Sequence, residues 1–268
     1  MSINNLPILT IITVVYNGEK YLERTIQSVL TQSYKYLEYI IIDGGSTDDT
    51  INIINKYINN ISIFISEKDD GIYDAMNKGI KNAKGNLIGI INSDDWYEPN
   101  AFELVINEYL QYKYFVFHGR MKIWRNDEPL YTHLNRHPEK TLIKGMCINH
   151  PTVFIPKTIY DTVGTFNIQY KIAADWDLMI RILKNNYHFH YINENIANFS
   201  LNGISSKISN QTISEKHLIR KNNHIYNVMD IHYILDIIKI SIFKGNILYN
   251  ISIYKEYIKY IFINLLKY

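Results

Sequence analysis

The sequence predicts an α/β protein built on a mostly parallel sheet flanked by helices. Four short β-branched runs occur in the first hundred residues, and a segment with helical spacing of apolar side chains follows each of the first three. Continuous apolar strands are typical of parallel sheets that are covered on both faces. The regular alternation of strand and helix favours a doubly wound arrangement. A chain of 268 residues is long enough to bury such a core.

The elements of the first hundred residues are predicted in chain order. The strands are expected at residues 8–17, 37–43, 61–67 and 86–92, and the helices at residues 19–32, 47–60 and 72–85. Ser46 or Thr47 is expected to cap the second helix, because a side-chain oxygen there can accept a backbone N–H of the first turn. Gly85 is expected to end the third helix.

The pattern changes after residue 100. Residues 114–124 are predicted as antiparallel strand material and residues 125–140 as a polar connection. Residues 150–166 indicate a strand, a short helix that begins at a proline, and a turn. A further helix is predicted at 173–186.

Helical segments rich in Ile, Tyr and Lys are predicted from about residue 205 to the end. We therefore predict one domain at 1–204, with halves at 1–100 and 101–204, and a helical C-terminal extension at 205–268.

Charge, cysteine content and the first residues exclude several classes of protein. The formal net charge is +2 and the first 200 residues carry no basic stripe, so a nucleic-acid partner is not expected. Cys147 is the only cysteine, which rules out an intrachain disulfide and favours a reducing compartment. The segment "MSINNLPILTIITVVYN" has no basic leader and no small-residue cleavage site, so we expect a first strand there. These features favour a cytoplasmic location.

Polar and acidic residues follow several of the predicted strands, at Asn17, Asp43, Asp69, Asp70, Asp94 and Asp95. The carboxyl ends of parallel strands meet at one edge of a sheet, where ligands bind. Adjacent carboxylates repel each other unless a cation neutralises them. Mg²⁺ and Mn²⁺ prefer oxygen ligands and commonly bridge carboxylates to substrate phosphates. A solvated turn with an acidic cap is the alternative explanation for Asp94 and Asp95.

The two commonest nucleotide-binding motifs are absent from the sequence. No "GxxxxGK[ST]" occurs, and the first strand is followed by "VVYNGEKYL" instead of "GxGxxG". Neither a P-loop nor a dinucleotide-binding turn therefore explains the predicted sheet.

Four stretches together carry a family resemblance: "TIITVVYNGEKYLERTIQSVLTQSY", "YIIIDGGSTDDT", "SEKDDGIYDAMNKGIKNAKGNLIGIINSDDWY" and "AADWDLMIRIL". In this order they resemble the family 2 glycosyltransferases of the GT-A fold, which have a Rossmann-like sheet. The resemblance covers roughly residues 7–200. It is closest to bacterial enzymes that build colanic acid, O-antigen and capsule.

The resemblance implies an activity and its partners. The expected reaction is transfer of a hexose or N-acetylhexosamine, with inversion, from a nucleotide diphosphate sugar to a saccharide on a polyprenyl diphosphate. UDP is the expected nucleotide, Mn²⁺ or Mg²⁺ is the expected cofactor, and bacterial surface polysaccharide, such as lipopolysaccharide, is the expected product.

The resemblance also implies a set of donor-binding residues, namely Tyr16, Asn17, Asp43, Gly44, Gly45, Ser46, Asp70, Tyr73, Asn77 and Asp94. Tyr16 and Asp43 are expected on either side of the uracil base, and the two glycines let the backbone approach the nucleotide. Alternatively, Asp43 caps the turn that follows it, and Asn77 serves only its helix.

Asp94 and Asp95 match the metal-binding acids of the family. Many members have Asp-x-Asp, whereas this chain has Asn92 two residues before Asp94. An amide contributes no charge, so the metal is expected to rest chiefly on Asp95, with Asp94 contacting ribose or the second coordination shell.

Asp175 in "AADWDLMIR" matches the family's catalytic base, and Asp177 is the second choice. An acid favoured by the helix dipole is the alternative for Asp175. Trp176 is either an acceptor platform or a core residue. Arg181 is expected to pair with Asp177 one turn away. His150 either meets the diphosphate or the metal, or is structural.

The C-terminal residues are basic. Residues 216–268 contain eight Lys or Arg against three Asp or Glu. Apolar residues at helical spacing between 251 and 265 alternate with lysines, which predicts an amphipathic helix and excludes a membrane span. This helix either lies on the anionic inner face of the plasma membrane or packs on the catalytic domain.

Two other functions remain open. A sugar-nucleotide nucleotidyltransferase also uses paired acids and Mg²⁺, but it normally has a glycine-rich basic loop after the first strand. A non-catalytic nucleotide-binding scaffold of the assembly complex is the other alternative.

Overall fold

The computed structural model describes residues 6–133, 137–201 and 210–225. The described residues fall into two compact units. The larger unit holds residues 6–142 and 146–201, and the smaller unit holds 143–145 and 210–225.

The first part of the larger unit alternates strand and helix, as predicted. Its elements are β1 (Leu9–Val15), α1 (Leu22–Leu30), β2 (Leu37–Asp43), α2 (Thr50–Lys56), β3 (Ile63–Ser66), α3 (Ile72–Asn82) and β4 (Leu87–Asn92). The four strands lie in the order β3-β2-β1-β4, and all neighbours are parallel. Every side chain of β1 is buried, because helices cover both faces of this part of the sheet.

Two helix ends differ from the prediction. The N-cap of α2 is Asp49, without a side-chain cap bond among the described residues, whereas Ser46 and Thr47 belong to the loop before it. Helix α3 ends at Asn82, three residues before Gly85. A Cβ at Gly85 would lie 2.7 Å from the carbonyl oxygen of Ile8, so this glycine serves the close approach of the chain to β1 and does not end the helix.

The second part of the larger unit is mixed in direction. Its elements are β5 (Trp96–Tyr97), α4 (Ala101–Gln111), β6 (Val116–Arg125), β7 (Glu128–His133), α5 (Pro138–Thr141), β8 (Phe154–Pro156), α6 (Lys157–Val163), α7 (Ala174–Lys184) and β9 (Phe189–Ser200). Strand β8 lies antiparallel between β4 and β6 and so joins the two parts into one sheet. Strand β6 confirms the strand predicted at 114–124, and α7 confirms the helix predicted at 173–186.

Three strands were missed by the prediction. Strand β7 lies within the predicted polar connection at 125–140 and pairs with β6 through a turn at Asn126 and Asp127, both of which have positive φ. All its side chains are exposed, so its sequence shows no buried face. Strand β9 pairs parallel with β6 but shifts register near Asn195, which interrupts its apolar pattern. Strand β5 has only two residues.

The smaller unit contains helix α8 (Asn210–Asn222), in agreement with the helical segments predicted after residue 205. The predicted amphipathic helix near the C-terminus lies outside the described residues. Among the helices at 6–133, 137–201 and 210–225, none combines the length and apolar character that a membrane span requires.

Candidate functional site

A cavity of about 450 Å³ opens at the carboxyl edge of the parallel strands. Its volume lies within the usual range for small-molecule sites. Fourteen residues from the ends of β1 and β4, from the loops before α1 and α3, from the start of α3 and from β9 line the cavity: Val14, Val15, Tyr16, Asn17, Gly18, Tyr21, Asp69, Gly71, Ile72, Ala75, Asn92, Ser93, Asp94 and Phe199. Of the predicted site residues, Tyr16, Asn17, Asn92 and Asp94 are therefore brought together.

The loop after β1 places Tyr16 and Asn17 at the cavity. Tyr16 is 64% exposed, so most of its side chain is open to solvent at the edge of the cavity. Asn17 has a positive φ of 50°, which turns the chain away from the strand. Its side-chain oxygen accepts the N–H of Thr47 at 2.8 Å, and its own N–H donates to Ser46 Oγ at 2.8 Å. Ser46 thus supports this loop from the turn after β2.

Asp43 lies beneath that turn and is fully buried. Its carboxylate accepts the backbone N–H groups of Gly45 and Ser46 and, at 2.7 Å, the hydroxyl of Ser66. Gly45 has a φ of +85°, a conformation that favours glycine. These bonds match the turn-capping alternative for Asp43. Its contact with a base stays a prediction.

Asp69, which precedes the predicted donor residue Asp70, is the acid that lines the cavity. Its carboxylate accepts the N–H of Gly71 at 2.9 Å. It also lies against the Cα of Gly44, where a Cβ would overlap its carboxylate. Asp70 instead accepts Lys171 Nζ at its carbonyl oxygen, at 2.7 Å. The adjacent acids at 69 and 70 predicted a carboxylate at this edge of the sheet. The sequence alone did not indicate which of the two lines the cavity.

The acidic pair after β4 is divided between the cavity and the core. Asp94 lines the cavity and is partly buried, whereas Asp95 is fully buried. Asp95 Oδ1 accepts the N–H of Ser200 at 3.1 Å. Within the described part of the chain, Asp95 Oδ2 and Asn92 Oδ1 are buried without a hydrogen-bond partner. The family resemblance implied the larger metal role for Asp95, but the geometry favours Asp94 for direct contact with a ligand in the cavity.

Helix α1 holds the turn that carries this pair. The hydroxyl of Thr25 bonds to the carbonyl oxygens of Ser93 at 2.9 Å and Asp95 at 2.6 Å. The Arg24 guanidinium lies 3.5 Å from the ring centroid of Trp96. Sequence reasoning missed both residues, because a helix of ordinary composition gives no sign that it touches a turn about seventy residues later.

The electrostatics of the pair follow from burial. Burial raises the pKa of Asp94, and the nearby Arg24 opposes that rise. Burial and then the charge of Asp94 raise the pKa of Asp95 well above its usual range, while the Ser200 N–H, Arg24 and a hydrogen bond from the Asn92 side chain oppose the rise. A bound cation would favour the ionised form of both carboxylates.

The residues after β4 fit a divalent cation that is shared with a ligand. Across the residues that the structure describes, no three His, Cys, Asp or Glu side chains form a group that could hold a metal ion by themselves. Mg²⁺ and Mn²⁺, however, are commonly held by one or two carboxylates together with substrate phosphates. Asp94 and the unsatisfied oxygens of Asn92 and Asp95 supply this kind of incomplete oxygen set.

Asp175 lies at the start of α7 and is partly buried. Its Oδ1 accepts the N–H of Trp176 at 2.8 Å and lies 3.3 Å from the hydroxyl of Tyr73. Burial raises the pKa of Asp175, whereas nearby His150 and these two donors oppose the rise. Burial also lowers the pKa of His150. A carboxylate with a raised pKa is suited to accept a proton near neutral pH.

The neighbours of Asp175 in the sequence have structural roles. Trp176 is fully buried and donates Nε1–H to the carbonyl oxygen of Leu142 at 2.7 Å, so it cannot act as an acceptor platform. Asp177 is buried and pairs with Arg181 at 2.8 Å, which confirms the predicted pair. Because its carboxylate is committed to this ion pair, Asp177 is a poor second candidate for the base.

Three comparisons with known proteins bear on this site. The family model for glycosyl transferase family 2 matches residues 10–194. A hyaluronan synthase of Pasteurella multocida is 32% identical over 238 residues, which is 86% of this chain and 24% of the synthase. A chondroitin synthase of Escherichia coli is 31% identical over 83% of this chain and 32% of its own length. The chain therefore spans about a quarter to a third of these two synthases.

Solved structures share the fold at lower identity. S. aureus TarS 1–349 in complex with UDP superposes with a TM-score of 0.66 and 20% identity, over 84% of this chain and 68% of that chain. A mannosyltransferase from Pyrobaculum calidifontis, in complex with GDP-Man and Mn²⁺, gives a TM-score of 0.57 and 16% identity over 73% of this chain and 57% of its own. The predicted GT-A fold is confirmed.

Proposed function

The chain belongs to glycosyl transferase family 2, and from this premise we propose that it transfers a sugar, with inversion, from a nucleotide diphosphate sugar to a saccharide acceptor. The observation that supports this proposal best is the cavity at the carboxyl edge of the parallel strands. There an exposed aromatic ring, Tyr16, and two acids, Asp69 and Asp94, line the same space.

We assign the donor to this cavity. The Tyr16 ring is suited to stack on a base, and the unsatisfied oxygens after β4 are suited to the diphosphate end through a cation. A UDP-sugar is the proposed donor, since TarS, which shares the fold, was solved with UDP and with UDP-GlcNAc. The sugar is proposed to be a hexose or an N-acetylhexosamine.

Mn²⁺ or Mg²⁺ is the proposed cofactor. Asp94 would hold it from the cavity wall, with Asn92 and Asp95 behind. When bound, the ion stabilises the negative charge that develops on the leaving diphosphate. Arg24 lowers the pKa of both carboxylates and so favours their ionised forms at neutral pH.

Asp175 is the proposed general base. It takes the proton from an acceptor hydroxyl as that oxygen attacks C1 of the sugar. The bond between C1 and the phosphate oxygen breaks, and the nucleoside diphosphate leaves on the opposite face. One glycosidic bond forms and one sugar–phosphate bond breaks, so no covalent enzyme intermediate is needed.

The proposal also names an acceptor and a place of action. The similar synthases of Pasteurella and Escherichia are named for hyaluronan and chondroitin, which supports a role in polysaccharide synthesis. We propose a polyprenyl-diphosphate-linked saccharide as the acceptor and the inner face of the plasma membrane as the place of action. Residues 1–204 would form the catalytic domain and residues 205–268 an extension.

A thermal-shift screen of nucleotide sugars with and without Mn²⁺ tests the proposal. We expect one UDP-sugar to raise the melting temperature in a Mn²⁺-dependent manner, because a ligand that binds only the folded state stabilises it. The stabilising donor is then incubated with the chain and saccharide acceptors, and the product is detected by mass spectrometry. Stabilisation by a nucleotide without transfer to any acceptor would favour the scaffold alternative.

A further inference from the structure

Three residues that sequence resemblance placed on the donor instead reach towards the segment before α7. The carbonyl oxygen of Asp70 accepts Lys171 Nζ at 2.7 Å. The side-chain amide of Asn77 bonds to both backbone groups of Phe166, at 2.8 and 2.9 Å. The loop before α3 and the first half of α3 are thus bonded to a segment that is about ninety to one hundred residues later in the chain.

Tyr73, which lies between Asp70 and Asn77, also contacts this segment, and its hydroxyl reaches the proposed base, Asp175. Its ring is buried and packs against Phe166, with centroids 5.3 Å apart. Its hydroxyl lies 2.8 Å from the carbonyl oxygen of Ile172 and 3.3 Å from Asp175 Oδ1. The phenol is therefore fixed by packing at one end and shared between two acceptors at the other.

We propose that Tyr73 is a positioning residue for Asp175: its hydroxyl orients the carboxylate of the base and joins it to the helix that borders the donor cavity. The inference rests on the proposed function, because it takes Asp175 as the base. Ile72 and Ala75, on the same helix, line the cavity. One rigid helix therefore contacts both the donor site and the base, which sets the distance between them.

The geometry explains why a tyrosine is suited to this position. The phenol can turn its proton to Ile172 when Asp175 becomes protonated and to the carboxylate when Asp175 is ionised. A hydrogen bond from a neutral donor to a carboxylate favours the ionised form. Tyr73 therefore keeps the base able to accept a proton in a site where burial favours the neutral acid.

The test compares Tyr73→Phe with the unchanged chain and with Tyr57→Phe. Phenylalanine keeps the ring that packs on Phe166 and removes only the hydroxyl. Tyr57 is a matched control, since its hydroxyl also donates to a carboxylate, that of Glu23 at 2.9 Å, and neither residue lines the cavity. Aspartate is labelled with ¹³C at the carboxyl carbon, and the Asp175 signal is identified by its loss in Asp175→Asn. Nucleotide affinity, kcat and the pH profile of kcat are measured alongside.

In Tyr73→Phe we expect the pKa of Asp175 to rise by roughly half a unit to one unit, the value of one hydrogen bond. The acid limb of the kcat profile should move to higher pH by the same amount, and kcat should fall about three- to tenfold. Nucleotide affinity should stay within about twofold of the unchanged chain, and Tyr57→Phe should behave like the unchanged chain in every measurement.

An Asp175 pKa and a kcat profile that stay unchanged in Tyr73→Phe would overturn the inference and leave the proposed function intact. A loss of nucleotide affinity with an unchanged Asp175 pKa would also overturn it and restore Tyr73 as a donor contact. If the unchanged chain transfers no sugar, the proposed function fails separately, because the ¹³C titration reads the contact between Tyr73 and Asp175 without any turnover.

Discussion

The acidic pair after β4 and the single acid at the start of α7 are all at least partly buried, but their carboxylates are held in different ways. Burial raises the pKa in both places. Asp175 has donors and a histidine nearby that offset the rise. Asp95 also accepts the Ser200 N–H, but it keeps an unsatisfied oxygen among the described residues, and its neighbour Asp94 adds a like charge.

The difference corresponds to two tasks of the proposed site, which are to bind a cation and to accept a proton. A buried carboxylate with an unsatisfied oxygen beside a second acid is costly until a cation arrives. A buried carboxylate that accepts hydrogen bonds from a phenol and a backbone N–H has part of the cost of its ionised form offset without a cation. The pair is therefore suited to bind a cation that arrives with the ligand. Asp175 is suited to accept a proton during the reaction.

The largest expected effect comes from removing the base. Asp175→Asn keeps the size and the N–H contact but cannot accept a proton, so kcat should fall about a hundred- to ten-thousandfold. Nucleotide affinity should not change, since Asp175 does not line the donor cavity. The measurement pairs sugar transfer with calorimetric UDP binding.

Asp161→Asn is the control for that measurement, because Asp161 is an exposed acid on α6. Transfer that survives in Asp175→Asn at more than about a tenth of the normal rate would remove Asp175 from the role of base. The acid at the start of α7 would then no longer differ from the pair after β4 by a role in proton transfer.

A smaller loss of kcat is expected when Asp94, the acid of the pair that lines the cavity, is neutralised. Asp94→Asn should lower kcat about a hundred- to a thousandfold, the usual scale for loss of one electrostatic stabiliser. It should also weaken the effect of Mn²⁺ on UDP affinity, because one charge of the oxygen set is gone. UDP binding is titrated with and without Mn²⁺.

Asp69→Asn distinguishes a specific role of Asp94 from a general loss of negative charge in the cavity, since Asp69 also lines it. We expect Asp69→Asn to retain the Mn²⁺ dependence of UDP binding. Equal loss of that dependence in both variants would contradict the assignment of the cation to the turn after β4.

The parallel strands were predictable from the sequence, whereas the pairing of the later strands was not. Strands β1, β2, β3 and β4 are local apolar runs separated by helices, and short-range periodicity fixes them. Strand β9 pairs with β6 about seventy residues away and shifts register at Asn195, so nothing local marks its partner. Exposed β7 carries no buried face to detect.

The same distinction holds within the site. Residues at or just after the end of a strand, such as Asn17 and Asp94, were predicted because the end of a strand fixes their place. The inward acid of the Asp69–Asp70 pair, the buried state of Trp176 and the contact of Tyr73 with Asp175 depend on how side chains pack between distant segments. Sequence spacing does not determine such contacts.

Most substitutions of buried residues lower the free energy of unfolding. Substitution of Asp95, the buried acid of the pair, should raise it. Asp95→Asn removes a carboxylate whose pKa is raised well above its usual range. A raised pKa means that the folded state binds more protons than the unfolded state between the two pKa values. The unchanged chain therefore loses stability as the pH rises from about 4, and the variant, which lacks the Asp95 contribution, loses less.

At pH 7 we expect Asp95→Asn to unfold with a free energy that is about 1–3 kcal/mol higher than that of the unchanged chain. The difference should shrink towards zero as the pH falls to about 4, the unfolded pKa of aspartate. Denaturant unfolding at several pH values, without nucleotide or Mn²⁺, measures it. A variant that is less stable than the unchanged chain at pH 7 would contradict the view that the pair is electrostatically costly.

The smallest effect is expected from the positive charge beside the pair. Arg24 lies on Trp96 and opposes the raised pKa of both Asp94 and Asp95. In Arg24→Gln both carboxylates should ionise at higher pH, so the pH midpoint of Mn²⁺-dependent UDP binding should rise by roughly half a unit. Arg125→Gln, at an exposed arginine on the end of β6, should leave that midpoint unchanged. A midpoint that falls in Arg24→Gln would mean that the guanidinium competes with the cation for the pair, because its removal would then make the carboxylates more available.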